Sequence, residues 1–187
     1  MMRHTYFTFL AAIALWLLPQ VSLAQGQYMT RSGEITFEAS VPTFEPIKAT
    51  NTGTTAIFDT QTGEFAALAL VRGFRFRVAL MEEHFNENYI ESHEYPKTSF
   101  KGTIADFDAS KLNDGPQKLN LTGALSLHGV TQNIELPVTI HYQGEQLLLS
   151  ADFSVRSEDY AIEIPKLVRK QIAETVNISV RLRLNPK

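Results

Sequence analysis

The chain has 187 residues, 17 basic against 20 acidic side chains and no cysteine, for a net charge of −3. That weakly acidic balance leaves no basic stripe to neutralise phosphates, which excludes a nucleic-acid partner. Without cysteine there are no disulfide staples, so burial and hydrogen bonding alone must hold the domain together.

Arg3 and His4 form a short positive region, followed by an apolar run from Phe7 through Leu18 that contains Trp16. Pro19 breaks that run, and Ser22-Leu23-Ala24 places small residues where a signal peptidase reads. The run falls short of the roughly 20 residues a spanning helix needs, and no cysteine follows it for lipoprotein processing. The expectation is a cleaved signal peptide over 1–24, a single domain over 25–187, and export to the periplasm. The remaining 163 residues, at a net charge near −4, suffice for a sizeable core.

Beyond residue 25 the dominant period is two. Ile35, Phe37, Ala39 and Val41 alternate with polar neighbours, as do Leu119 through Leu127, Ile134 through Ile140, Leu147 through Val155, and Val176 through Leu184. Such alternation marks antiparallel strands with one buried face. Weaker strands are expected at 53–59, 64–78 and 97–107, for about eight in all. His128-Gly129 and Gln143-Gly144 read as tight hairpins, and 113–116 as a longer loop. Long neighbouring hairpins remove their exposed edges by closing. The predicted fold is therefore mostly β, a closed antiparallel lipocalin-like barrel with one or two short helices.

The helices are expected where the period breaks. Over 79–92, Met81, Phe85 and Tyr89 form one stripe, with Glu82, Glu83, Asn86 and Glu87 largely opposite. His84 and Asn88 fall beside the apolar stripe, either bonded within the barrel end or offered to a polar head group. The second helical stretch runs from Pro165 to Glu174, with Val168 and Ile172 facing the barrel.

An eight-stranded interior is either filled by its own side chains or holds one small ligand. Gly123 and Ala151 sit at inward positions among large residues, so they make room either for a ligand or for bulky neighbours. Periodicity alone leaves a plainly packed core as the competing reading.

The block from Leu80 to Gly102, with its Glu83-His84-Phe85 and His93-Glu94-Tyr95-Pro96-Lys97-Thr98-Ser99-Phe100 runs, resembles the helix-to-strand segment of the YceI-like, polyisoprenoid-binding family. Leu121 through Thr131 is similar to that family's G-x-L-x-x-H-G-V-T hairpin, and Asp159 through Pro165 to a later segment. Here Glu82-Glu83 precede His84, where the family pattern opens with D-x-H or N-x-H. The resemblance implies a lipocalin-like barrel in the periplasm that stores or carries a long isoprenoid, quinone-like or other long-chain lipid. The residues expected to line the lumen are Phe37, Phe74, Phe76, Phe100, Leu121, Leu125, Ile134, Val138 and Phe153. His84, Phe85 and Asn88 are expected at its mouth.

Enzyme chemistry finds little support. Glu83, His84, Glu87 and His93 are close in sequence, but the glutamates point away from His84 on the helix, and no metal-binding spacing occurs. There is no nucleophile elbow; Ser126 and His128 are expected on the solvent side of their strand, and Glu82-Glu83 and Glu158-Asp159 read as solvated. No cofactor is expected. Arg72, Arg75 and Arg77 form a short basic cluster; Arg75 and Arg77 alternate with Phe74, Phe76 and Val78 and are expected to point outward, and the cluster to bridge to acidic neighbours or touch an anionic membrane surface. A homodimer is left open. The rival readings are a solid-core stress-response or interaction module without ligand, and a quinone- or metal-linked redox accessory.

Overall fold

The structure, a computed structural model, describes residues 26–187; the expected signal peptide lies outside the described residues. Nine strands form one antiparallel sheet: β1 (Gln27–Glu38), β2 (Lys48–Asp59), β3 (Glu64–Leu70), β4 (Arg75–Phe76), β5 (Lys97–Ile104), β6 (Gln117–Leu127), β7 (Val130–Gln143), β8 (Gln146–Arg156) and β9 (Thr175–Pro186). In space the order is β1-β9-β8-β7-β6-β5-β3-β2, and β2 pairs back onto β1, closing an eight-stranded barrel. The two-residue β4 is a tab on β2, with Phe76 opposite Ala49.

Local chemistry explains the closure. The expected hairpin between β6 and β7 has His128 at φ +50 and Gly129 at φ +74, both left-handed, as a two-residue turn between twisted strands requires. β1 carries register shifts on both sides of Gly33, where a Cβ would stand 2.4 Å from Leu182; the bulges bend the strand so that it reaches both β2 and β9. Gly123 lies opposite Gly102, and a Cβ there would come within 2.2 Å of the Lys101 carbonyl oxygen. Gly123 thus makes room for the neighbouring backbone.

The weaker strands differ from expectation in extent. β2 starts five residues earlier than expected, and the 64–78 stretch is broken by a 3-10 turn at Val71–Gly73. Buried Asn51 fastens that corner, donating from Nδ2 to the Leu70 carbonyl at 2.9 Å and accepting from the Gly53 N–H at 2.8 Å.

Both expected helices are shorter than the sequence pattern suggests. The first is a single helix, α1 (Ala79–His84), which widens into a π turn over Phe85–Tyr89. The Asn86 side chain donates to the Glu82 carbonyl at 2.8 Å, supplying a donor where an α-helix would use the backbone N–H, and Ile90 N–H bonds the Phe85 carbonyl five residues back. The 165–174 stretch is two linked turns, closed by Val168 N–H to Pro165 and Gln171 N–H to Val168.

The barrel divides lengthwise. At one end the turns at 60–63, 105–116 and 144–145 enclose a solid floor of Phe58, Ile104, Ile140, Leu147 and Leu184, all 0–3% exposed. Phe107 meets Phe58 edge-on at 5.0 Å between ring centroids. At the other end the 39–47 loop, the α1 segment and the 157–174 segment close over a hollow.

Candidate functional site

That hollow is a lumen of about 390 Å³ with an overwhelmingly apolar wall. Its volume falls within the range of ligand pockets, roughly 300–1,000 Å³. All eight barrel strands contribute to the wall: the side chains that point inward in the upper half of the barrel face this one space. Leu121, Val138 and Leu149 sit at its base, at the level where the solid floor begins.

Of the twelve residues expected at the site, ten line the lumen: Phe37, Phe74, Phe76, His84, Phe85, Phe100, Leu121, Leu125, Val138 and Phe153. Two do not. Ile134, paired with Gly123, is half-buried against the core cluster and is absent from the lining. Asn88 is exposed and absent from the lining. The π turn is the cause: each residue in its wider winding advances through a smaller angle than in an α-helix. Asn88 therefore lags outward, while Tyr89 and Ile90 swing onto the lumen. His84 touches the lumen but is exposed, so the two residues form no buried polar pair.

Four phenylalanines fasten the helical cover. Phe85 sits 5.2 Å from Phe37, 6.2 Å from Phe74 and 5.1 Å from Phe76, measured between ring centroids. Phe37 in turn meets Phe74 at 5.3 Å and Phe76 at 5.7 Å. The tilted and edge-on geometries are those aromatic pairs favour. Arg75 and Arg77 point outward, as expected from the inward phenylalanines. Arg75 bonds Glu82 at 2.5 Å, and the same carboxylate accepts the Phe76 N–H at 3.1 Å. Glu82 is thus a structural acceptor at the base of α1 and not a solvated carboxylate.

His128, expected on the solvent side of its strand, lies elsewhere. It is buried, 9% exposed, because its positive φ takes it out of the strand alternation that would have put it in solvent. Nδ1 lies 3.0 Å from the Tyr160 carbonyl oxygen and Nε2 lies 3.0 Å from a Glu91 carboxylate oxygen. Tyr95 packs edge-on at 4.4 Å. The hairpin thereby clasps both covers of the lumen, the end of the helical segment at Glu91 and the start of the 157–174 segment at Tyr160.

The sequence reading named Val168 and Ile172 as facing the barrel, and both line the lumen. It missed Tyr160, Ile162 and Ile164, which lie in a stretch with no strand period to read, and Val176 and Ile178, whose parity opposite Val155 and Phe153 could have found them. Burial, with Asp159 nearby, pushes the Tyr160 hydroxyl pKa up, so the wall stays uncharged there. Polar side chains gather at the rim: His84, Arg156 and Gln171. Among the described residues no group of three histidine or acidic side chains converges as a metal site.

A closed antiparallel barrel with an apolar, one-ended lumen beneath a short helix has the shape and the lining to enclose an apolar molecule. The chain belongs to the YceI-like domain family, which it matches over residues 20–184. Its fold is similar to a polyisoprenoid binding domain from Saccharophagus degradans, described as implicated in plant cell wall breakdown, with a TM-score of 0.76 and 14% identity over 87% of this chain and 99% of that one. It is also similar to Burkholderia cenocepacia BcnA (TM-score 0.67, 18% identity, 81% and 95% covered). A Campylobacter jejuni YCEI protein is a third (TM-score 0.57, 15% identity, 75% and 86% covered). No curated protein sequence matches the chain.

Proposed function

We propose that the protein binds one long apolar lipid in the lumen, an isoprenoid or a related long chain such as a prenyl quinone, and stores or carries it without chemical change. The observation that carries this reading is the hollow itself: about 390 Å³ enclosed almost entirely by aliphatic and aromatic side chains. The family membership and the polyisoprenoid-binding description of one structural relative support the choice of ligand class. Burying a few hundred Å² of lipid surface at about 25 cal/mol per Å² gives ample affinity with no polar contact. The N-terminal pattern of residues 1–24 supports export and action in the periplasm, as a mature domain from residue 25 onward. The packed floor is the feature that favours a ligand-free module, but that reading leaves the hollow upper half without a use.

The test is to purify the mature protein without detergent and to analyse organic extracts and metal content by mass spectrometry. A stoichiometric long-chain lipid is the expected result. An empty protein would sink the reading, and stoichiometric iron or zinc would replace it with the redox alternative. Leu125→Trp should abolish lipid retention while the far-ultraviolet circular dichroism stays unchanged; retention at the wild-type level would place the lipid elsewhere.

A further inference from the structure

A lipid container must take its cargo from somewhere, and the outer surface of the mouth carries a second pattern. Among the described residues five large apolar side chains are exposed: Phe44, Leu68, Leu70, Leu80 and Leu167. Four of them cluster at the mouth end, Phe44 in the 39–47 loop, Leu70 at the end of β3, Leu80 at the start of α1 and Leu167 in the 157–174 segment. Leu167 is the extreme, 90% exposed. It stands in Lys166-Leu167-Val168-Arg169-Lys170, where three cations flank it. Lys166 and Lys170 make no ion pair among the described residues, while Arg169 reaches Glu174 only at 3.9 Å.

Charge singles this segment out. The whole chain carries −3, so with these three cations set aside the remainder carries −6. The arginines at 72–77, where the sequence suggested membrane contact, offer no such field: Arg75 is bonded to Glu82, and exposed Glu83 and Glu87 on the neighbouring helical segment match the charges of Arg72 and Arg77 in number. The 165–172 turns also have two faces. Val168, Gln171 and Ile172 line the lumen, while Leu167 and the cations project outward from the same turns. An Ala173 N–H to Ala39 carbonyl bond of 2.9 Å ties the segment to the loop that carries Phe44.

We propose that the Lys166–Lys170 lip docks on an anionic lipid bilayer, with Leu167 inserted and the cations at the head-group level, so that the mouth opens against the membrane. This rests on the reading of the lumen as a lipid site. The acidic remainder of the molecule is repelled by the same surface, which orients the protein lip-first. Screening confines the attraction to about 8–10 Å at physiological salt, so only this lip and its immediate neighbours take part.

Vesicle co-sedimentation tests it, with the mature protein on phosphatidylethanolamine vesicles that contain phosphatidylglycerol and, in parallel, on pure phosphatidylcholine vesicles. Binding to the first is expected, weakening as salt rises, with little to the second. Lys166→Gln and Lys170→Gln should each lower the partition coefficient about fivefold, and Leu167→Ser about tenfold or more. All three variants should keep the wild-type melting temperature and the wild-type lipid content by native mass spectrometry. Equal binding to both vesicle types, no binding, or no effect of Leu167→Ser would overturn the docking. So would self-association through Leu167 in place of vesicle binding. An empty lumen combined with anion-dependent vesicle binding would remove the container reading and leave the docking standing.

Discussion

His128 shows how much a single side chain contributes when it faces two acceptors. A backbone carbonyl meets one ring nitrogen and a carboxylate meets the other. No other described side chain bonds both covers of the lumen at once. His128→Gln leaves the Tyr160 carbonyl and the Glu91 carboxylate without that shared partner and should lower unfolding stability by about 1–3 kcal/mol. Urea denaturation measures it, and Glu91→Ala should cost less, under about 1 kcal/mol, since that carboxylate is substantially exposed. At the floor, burial pushes the Tyr142 hydroxyl pKa up to about 12, with Tyr28 adding to the shift. The folded-state value lies above the unfolded one, so the folded state is not penalised below pH 10, and stability declines from there to about pH 12. Tyr142→Phe should flatten that alkaline decline, worth on the order of 2 kcal/mol, in melts recorded between pH 9 and 12. Sequence could not reveal either residue's role, because a turn residue's inward aim depends on φ and a tyrosine's desolvation on its neighbours across the barrel.

Strands and helices were unequally legible. Period-two runs such as Leu119–Leu127 and Val176–Leu184 became β6 and β9 nearly to the residue, since one buried face is enough to fix a strand. The helical stretches failed for local reasons: Asn86 turned back onto the Glu82 carbonyl, and 165–174 closes only isolated turns. Because the lumen-facing set depends on helical phase, the same π turn that shortened α1 also removed Asn88 from the site. Gly123 illustrates a fact that alternation cannot encode, namely that β5 and β6 touch backbone to backbone at that level. Gly123→Ala should cost about 1–3 kcal/mol by forcing the strands apart, visible as a lowered melting temperature, whereas Gly144→Ala meets nothing within 4 Å and should cost only the strain of its positive φ.

At the scale of the molecule, the fold class and the strand count could be read before any coordinates, and ten of the twelve residues named for the site border the lumen. The split of the barrel into a filled half and a hollow half could not. Phe58 and Phe100 occupy similar alternating runs, yet one is packed into the floor beside Phe107 and the other borders the lumen. Only the three-dimensional meeting of the loops at each end decides between them. Burial of an apolar chain in this preformed cavity should give a negative heat-capacity change with a favourable enthalpy at 25 °C. Isothermal titration of a delipidated sample with a short prenyl alcohol at several temperatures measures it; a heat-capacity change near zero would mean that the chain stays outside.

The floor of Phe58, Ile104, Ile140, Leu147 and Leu184 also makes the barrel a cul-de-sac. A chain that enters at the mouth end cannot thread through, so it stops against Leu121, Val138 and Leu149 and anything longer is left outside. Such a container works as a gauge of length. Affinity should climb with each added prenyl unit until the tip touches bottom, then level off, and where it levels off would report the depth of the barrel.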